Sequence, residues 1–194
     1  MTAKVAIECN AEYVLFLDDD VLVNPNYGLK QLLDCKADIA AGRVCVRGYP
    51  FDYMVFKNVK KDPDHMIICN KLPKKGIYQC DAVGFSFALI KVDLIKRLEE
   101  PWFVTGLNNT EDIYFCRRAR IVDPKCKIAV NCECYCNHIL WSETIGEENR
   151  KAYKKFVEAT NPGIKVKPGP ENPVDRGSEY LNMIVDVMGK KNET

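Results

Sequence analysis

The stretch EYVLFLDDDVLVNP, residues 12–25, decides how the rest of the chain reads. Its first part, YVLFL at 13–17, is a short continuous apolar run with β-branched and aromatic residues. Such a run suits a strand buried on both faces, as in a parallel sheet covered by helices. It stops at Asp18-Asp19-Asp20, and Asn24-Pro25-Asn26 signals a turn. Upstream, residues 2–9 read as the end of a helix that Asn10 stops. Downstream, 27–35 has helical spacing, and 38–46 reads as a strand made irregular by a glycine. Residues 47–79 show little periodicity and read as a loop-rich excursion. A strand is expected over 82–90, then a short helix capped by Asp93 and ended by Pro101. Gly106 to Asn109 reads as a flexible loop, and Thr110 as the cap of a helix over 111–122. A further strand is expected over 128–136. Thr144-x-x-Glu147 has the form of a capping box before a helix striped with Ala152, Tyr153, Phe156 and Val157. Four prolines and three glycines make 161–177 a linker, and 178–188 a last short helix. Alternating helices and strands predict an α/β fold, a mixed and mainly parallel sheet flanked by helices.

The 194 residues suit one domain with an appendage. The expected division is a core over 1–140 and a C-terminal part over 141–194. With 28 basic against 27 acidic residues, the chain has no global field to attract nucleic acid, which is not among the expected partners. No apolar run approaches the ~18 residues of a membrane span. Residues 1–12 lack the apolar core of a signal peptide, so the expected compartment is cytoplasmic. The ten cysteines then read mostly as reduced, buried small hydrophobes.

Open α/β sheets bind ligands beyond the carboxyl ends of their strands, where Asp18, Asp19 and Asp20 are expected. Strand alternation would send Asp18 and Asp20 to one side and Asp19 to the other. Adjacent carboxylates repel, and a hard divalent cation, Mn²⁺ or Mg²⁺, relieves the repulsion and can also hold a diphosphate. The competing reading is a solvated acidic junction. Two reactions fit an apolar strand ending in Asp-x-Asp. One is sugar transfer from a nucleotide-sugar; the other is phosphoryl transfer to an aspartate, as in haloacid-dehalogenase-like phosphatases, with Asp18 as nucleophile and Asp20 as general acid. The segment LDDDVL lacks the glycine usual in the second class. Cys132, Cys134, Cys136 and His138 alternate along one strand face. Spread over ~20 Å, they cannot converge on one tetrahedral ion, so a buried face of small residues is the better reading. Arg117, Arg118 and Arg120 read as the solvated side of their helix.

With later motifs added, the chain resembles a glycosyltransferase of the GT-A fold, most like family 2. The resemblance rests on EYVLFLDDDVLVNP at 12–25, CDAVGFSFALIKVDLI at 80–95, PWF at 101–103, TEDIYFCRRAR at 110–120 and NHI at 137–139. It covers roughly residues 2–140. It implies a metal-dependent transfer of a sugar from a nucleoside diphosphate donor to a hydroxyl of a glycan, lipid or protein, with inversion. Asp18 would face the ribose or base side of the donor, Asp19 would support it, and Asp20 would chelate the metal. His138 would complete the metal shell or touch the diphosphate; the other histidine, His65, sits in the irregular excursion. Asp112, beside Glu111, would be the general base that takes the acceptor proton. Gly84, Phe85 and Ser86 would line the donor or acceptor pocket, and Trp102 and Phe103 would stack on sugar, against the plainer reading of ordinary packing.

The family places further strands, which bind the nucleotide base, before this point. Only seventeen residues precede Asp18. The expectation is therefore a GT-A-like fold truncated at its N-terminus, whose sheet edge invites a homo-oligomer or a missing N-terminal half. A non-catalytic sugar-binding scaffold, degenerate after loss of the base pocket, is the remaining alternative.

Overall fold

The structure, a computed structural model, describes residues 2–24, 26–58, 67–69, 71–106, 110–140 and 143–160. In chain order the elements are α1 (Thr2–Glu8), β1 (Tyr13–Leu17), β2 (Val21–Val23), α2 (Leu29–Asp34), β3 (Ile39–Arg43), β4 (Val55–Lys57), β5 (Ile67–Ile68), β6 (Ile77–Cys80), β7 (Ala82–Val83), β8 (Phe87–Lys91), α3 (Val92–Arg97), α4 (Glu111–Val122), β9 (Ile128–Leu140), β10 (Glu143–Ile145) and α5 (Arg150–Thr160). The seven-stranded main sheet runs β1-β8-β3-β9-β10, with β2 and β6 also paired to β9. A second sheet has the order β5-β4-β7.

This corrects the expected fold class. Among the described strands only β3 and β9 run parallel; every other pairing is antiparallel. The helices are short, from six to twelve residues, and among the described residues strands outnumber them ten to five. A mainly parallel, helix-flanked, GT-A-like layer is not what the chain forms. The misreading began at β1. It lies at the edge of the sheet, hydrogen-bonded to β8 alone, and Leu15 and Leu17 are 42% and 53% exposed. An apolar run shows that a strand forms but carries no record of its direction or of its place in the sheet.

Strands β3 and β8 are buried on both faces. On one face Ile39, Ala41, Ala88, Ile90, Ile128 and Val130 pack with Leu94 and Ile95 of α3 and Ile113, Phe115, Cys116 and Ala119 of α4. On the other, Ala40, Leu89, Phe87, Ala129, Cys134 and Cys136 pack with Leu32 of α2 and Cys35. The period-two alternation of a strand divides the two sets. The irregularity expected in β3 is a register shift between Gly42 and Arg43. A β-carbon at Gly42 would stand 2.9 Å from the Phe87 ring and 3.1 Å from the Cys134 carbonyl oxygen, so glycine is required there.

Smaller expectations shift with this frame. The strand expected over 82–90 is broken into β7 and β8. Asp93 lies inside the first turn of α3, where Lys91 holds the cap position. Thr144 belongs to β10, opposite Ile139 of β9, and is not a helix cap. Ile145 is fully buried in the core, and Tyr153 and Val157 of α5 pack on it, while Phe156 is exposed. His65, Trp141, the linker at 161–177 and the helix at 178–188 lie outside the described residues.

Candidate metal centre

The aspartates form a turn between two strands that belong to different ladders. The N–H of Asp18 donates to the Ser86 carbonyl at the end of β1's pairing with β8, at 3.0 Å. The N–H of Val21 donates back to the Asp18 carbonyl at 3.2 Å, closing the turn. The chain then enters β2, whose Val21 sits opposite His138 of β9. The N–H of Ile139 donates to the Asp20 carbonyl at 2.8 Å. The backbone thus delivers Asp20 beside His138. One ligand atom each from Asp18, Asp20 and His138 lies within 4.8 Å of the others. Asp19 is exposed and outside this group. Asp18 and Asp20 are brought together, by a turn and not by strand alternation, since none of the three aspartates is in a strand.

His138 is 4% exposed, and its Nδ1 meets the backbone carbonyl of Cys45. A carbonyl can only accept, so Nδ1 carries the hydrogen and the lone pair of the neutral ring is on Nε2. Nε2 faces Asp20, 4.0 Å from Oδ1. A backbone carbonyl fixing the far nitrogen of a histidine is the usual support of a metal-ligating imidazole. Two carboxylates and one such imidazole therefore suit a divalent cation. The second oxygen of Asp20, Oδ2, is held 2.7 Å from Nη1 of Arg47.

The carbonyl that orients His138 is itself well anchored. Cys45 bridges to Tyr53, and its thiol points at the Ile145 carbonyl at 3.8 Å. The Tyr53 hydroxyl donates to Glu147. Glu147 also pairs with the buried Arg43 at 3.2 Å, whose guanidinium lies between the rings of Tyr53 and Tyr135. Burial and the bond to Glu147 push the Tyr53 hydroxyl up to about 12, so it remains a donor at neutral pH. Beneath His138 on the same strand face, Cys132, Cys134 and Cys136 are each at most 1% exposed. This is the buried face of small residues expected from the alternation. No cysteine is in a disulfide, and eight of the ten are buried.

The remaining expected residues fall elsewhere. Asp112 is 7% exposed at the start of α4. Burial pushes its carboxyl up, and hydrogen bonds from the Thr110 hydroxyl and the Ile113 N–H offset only part of that. Glu111 is exposed and accepts from Thr105 at 3.0 Å. Gly84 is packed against Met54, with room for no β-carbon, and its N–H donates to the Met54 carbonyl. Phe85 joins a cluster with Phe16, Phe103 and Phe115, in which Phe103 and Phe115 stack at 5.0 Å. Trp102 is half-buried against the core and donates its indole N–H to the Leu98 carbonyl. The contacts of Gly84, Phe85, Trp102 and Phe103 are thus with protein. Yet the aromatic cluster joins β1 to α4: Phe16 lies two residues before Asp18, and Phe115 three after Asp112. Arg118 and Arg120 are structural, Arg118 on the carbonyls of Glu99 and Pro101 and Arg120 on Asp81. Sequence reasoning missed Arg47 and the Cys45 carbonyl. Both lie in or beside an aperiodic segment, and a carbonyl has no side-chain signature.

No family model matches the sequence, and no curated protein matches it. Among solved structures the chain is similar to the crystal structure of A197 from STIV, with a TM-score of 0.54 at 17% identity. The match covers 72% of this chain and 64% of that one, so the chain spans less than two thirds of the length of A197. At that identity the likeness is one of fold. Among the described residues no helix is long and apolar enough to cross a membrane.

Proposed function

We propose that the chain is a divalent-cation-dependent glycosyltransferase using a nucleoside diphosphate sugar. The observation that carries the reading is the convergence of Asp18, Asp20 and the oriented Nε2 of His138. A mixed oxygen and nitrogen donor set favours Mn²⁺ over Mg²⁺, which prefers oxygen alone. When bound, the cation would neutralise charge growing on the leaving diphosphate.

The chain's own residues would do the rest. Asp18 and Asp20 hold the charge at the strand end, and the Cys45 carbonyl keeps His138 from turning away. Asp112 takes the proton of the acceptor hydroxyl, since burial makes its carboxylate a stronger base than an exposed one. Packing through Phe16, Phe85, Phe103 and Phe115 fixes the first turns of α4 relative to the end of β1. Asp19 and Glu111, both exposed, would supply background charge only.

The test is calorimetry with UDP and GDP, with and without Mn²⁺, on the wild type, Asp20→Ala and His138→Ala. Nucleotide binding should require Mn²⁺, vanish in Asp20→Ala and weaken by about tenfold or more in His138→Ala. Mn²⁺-dependent binding that survives Asp20→Ala would falsify the assignment. Trapping of beryllofluoride on Asp18 would instead favour phosphoryl transfer.

A further inference from the structure

Arg47 sits on a loop whose backbone is held by hydrogen bonds, while its own side chain is mostly exposed. Val46 N–H donates to the Asp52 carbonyl and Phe51 N–H to the Gly48 carbonyl, each within 2.9 Å. Tyr49 and Phe51 are buried and meet edge-to-face, and Arg150 donates to the Phe51 carbonyl. The root of the loop is Cys45, whose carbonyl orients His138. Arg47 itself is 61% exposed in its side chain, and its ion-pair partner is Asp20.

The charge at the centre sets what such a group would do. The carboxylates of Asp18 and Asp20 cancel the charge of one divalent cation. A diphosphate arriving on that cation brings about two further negative charges, with the exposed carboxylate of Asp19 nearby. A cation besides the metal would offset that charge, and among the described residues Arg47 is in contact with the group. A guanidinium has five N–H donors in a planar fork that fits phosphate oxygens two at a time, and the contact with Asp20 uses Nη1. Asp20 meanwhile presents Oδ1 toward His138 and Oδ2 toward Arg47.

We propose that Arg47 is an anion-binding residue of this centre, gripping the phosphate oxygens of a diphosphate while Asp20 bridges the guanidinium and the cation. The proposal rests on the metal-dependent reading above and assigns a second, metal-independent contact to the same ligand. Arg47 does not hold the cation.

The experiment uses the full chain with Mn²⁺ alone, then inorganic pyrophosphate at saturating Mn²⁺, comparing wild type, Arg47→Lys and Arg47→Ala by calorimetry. Arg47→Ala should keep Mn²⁺ affinity within about threefold and lose about tenfold or more in pyrophosphate affinity, with Arg47→Lys between, because lysine keeps the charge but not the fork. Pyrophosphate affinity unchanged in Arg47→Ala would overturn the proposal and leave the metal reading standing. A comparable loss of Mn²⁺ affinity in Arg47→Ala would overturn it too, by making Arg47 a mere support for Asp20. A wild type that takes up no Mn²⁺ would remove the metal reading and this proposal together.

Discussion

Asp112 shows how a single carboxyl can work against the fold that holds it. Burial raises its proton affinity above that of the unfolded chain, and the Thr110 and Ile113 donors recover part of the difference. A raised folded value means that the stabilising effect of the proton is complete below the unfolded carboxylate range and is lost as pH rises through the folded value. At neutral pH the ionised side chain is therefore a liability. Asp112→Asn keeps an oxygen that can accept from both donors and removes the charge. It should melt higher than the wild type at pH 7, an advantage that fades on acidification, while sugar transfer is lost. Thermal melts across pH check the first part; a variant that melts lower at pH 7 would show that the charge is better accommodated than its burial implies. His138 makes the complementary point: the sequence marks it as a candidate ligand just past an expected strand, but it lies within β9, and the backbone carbonyl that orients its ring is encoded by no motif.

At the scale of elements, the ends of three strands are tied by Asp38. Its carboxylate accepts from the Lys127 N–H at 2.9 Å and from the Lys91 ammonium at 3.0 Å, joining the approach to β3 with the end of β8 and the approach to β9. Burial alone pushes this carboxyl up, but those two partners outweigh it and leave it below the usual range. Stability from such a depressed group is present above the unfolded value and is lost as pH falls through the folded one. Asp38→Asn should cost about 1 kcal/mol near neutrality, and that cost should shrink as pH falls below the usual carboxylate range, read from urea unfolding at neutral and strongly acidic pH. An equal cost at both would assign the effect to shape and not to charge. The element boundaries explain what the sequence could and could not tell. The turn at Asn10, α4 after Thr110 and the glycine irregularity in β3 were legible because each has a local cause. The pairing of Val21 with His138, more than a hundred residues apart, was not, and neither was strand direction. The same apolar run serves a parallel or an antiparallel neighbour, and a longer run such as 82–90 hides the break at Gly84–Ser86.

For the whole molecule, the antiparallel edge at β1 is the feature that bears on assembly. Its outward side has no strand partner among the described residues, and Leu15 and Leu17 keep large exposed surfaces. Such an edge is a template for another strand. Self-association is the expected outcome, seen as sedimentation that depends on concentration; Leu17→Lys should shift the chain toward monomer. A wild type that sediments as a sharp monomer at high concentration contradicts this. The fold as a whole also constrains its own spelling. Asp18, Asp19 and Asp20 are the entire connection between β1 and β2, so the charged groups are also the hinge pins of the chain trace. One extra residue there would leave every donor atom in the gene product and still put them out of phase, and one fewer would not span the gap. The motif is thus a measured length as much as a composition, and its tolerance for insertion should be nil where its tolerance for substitution at Asp19 is wide.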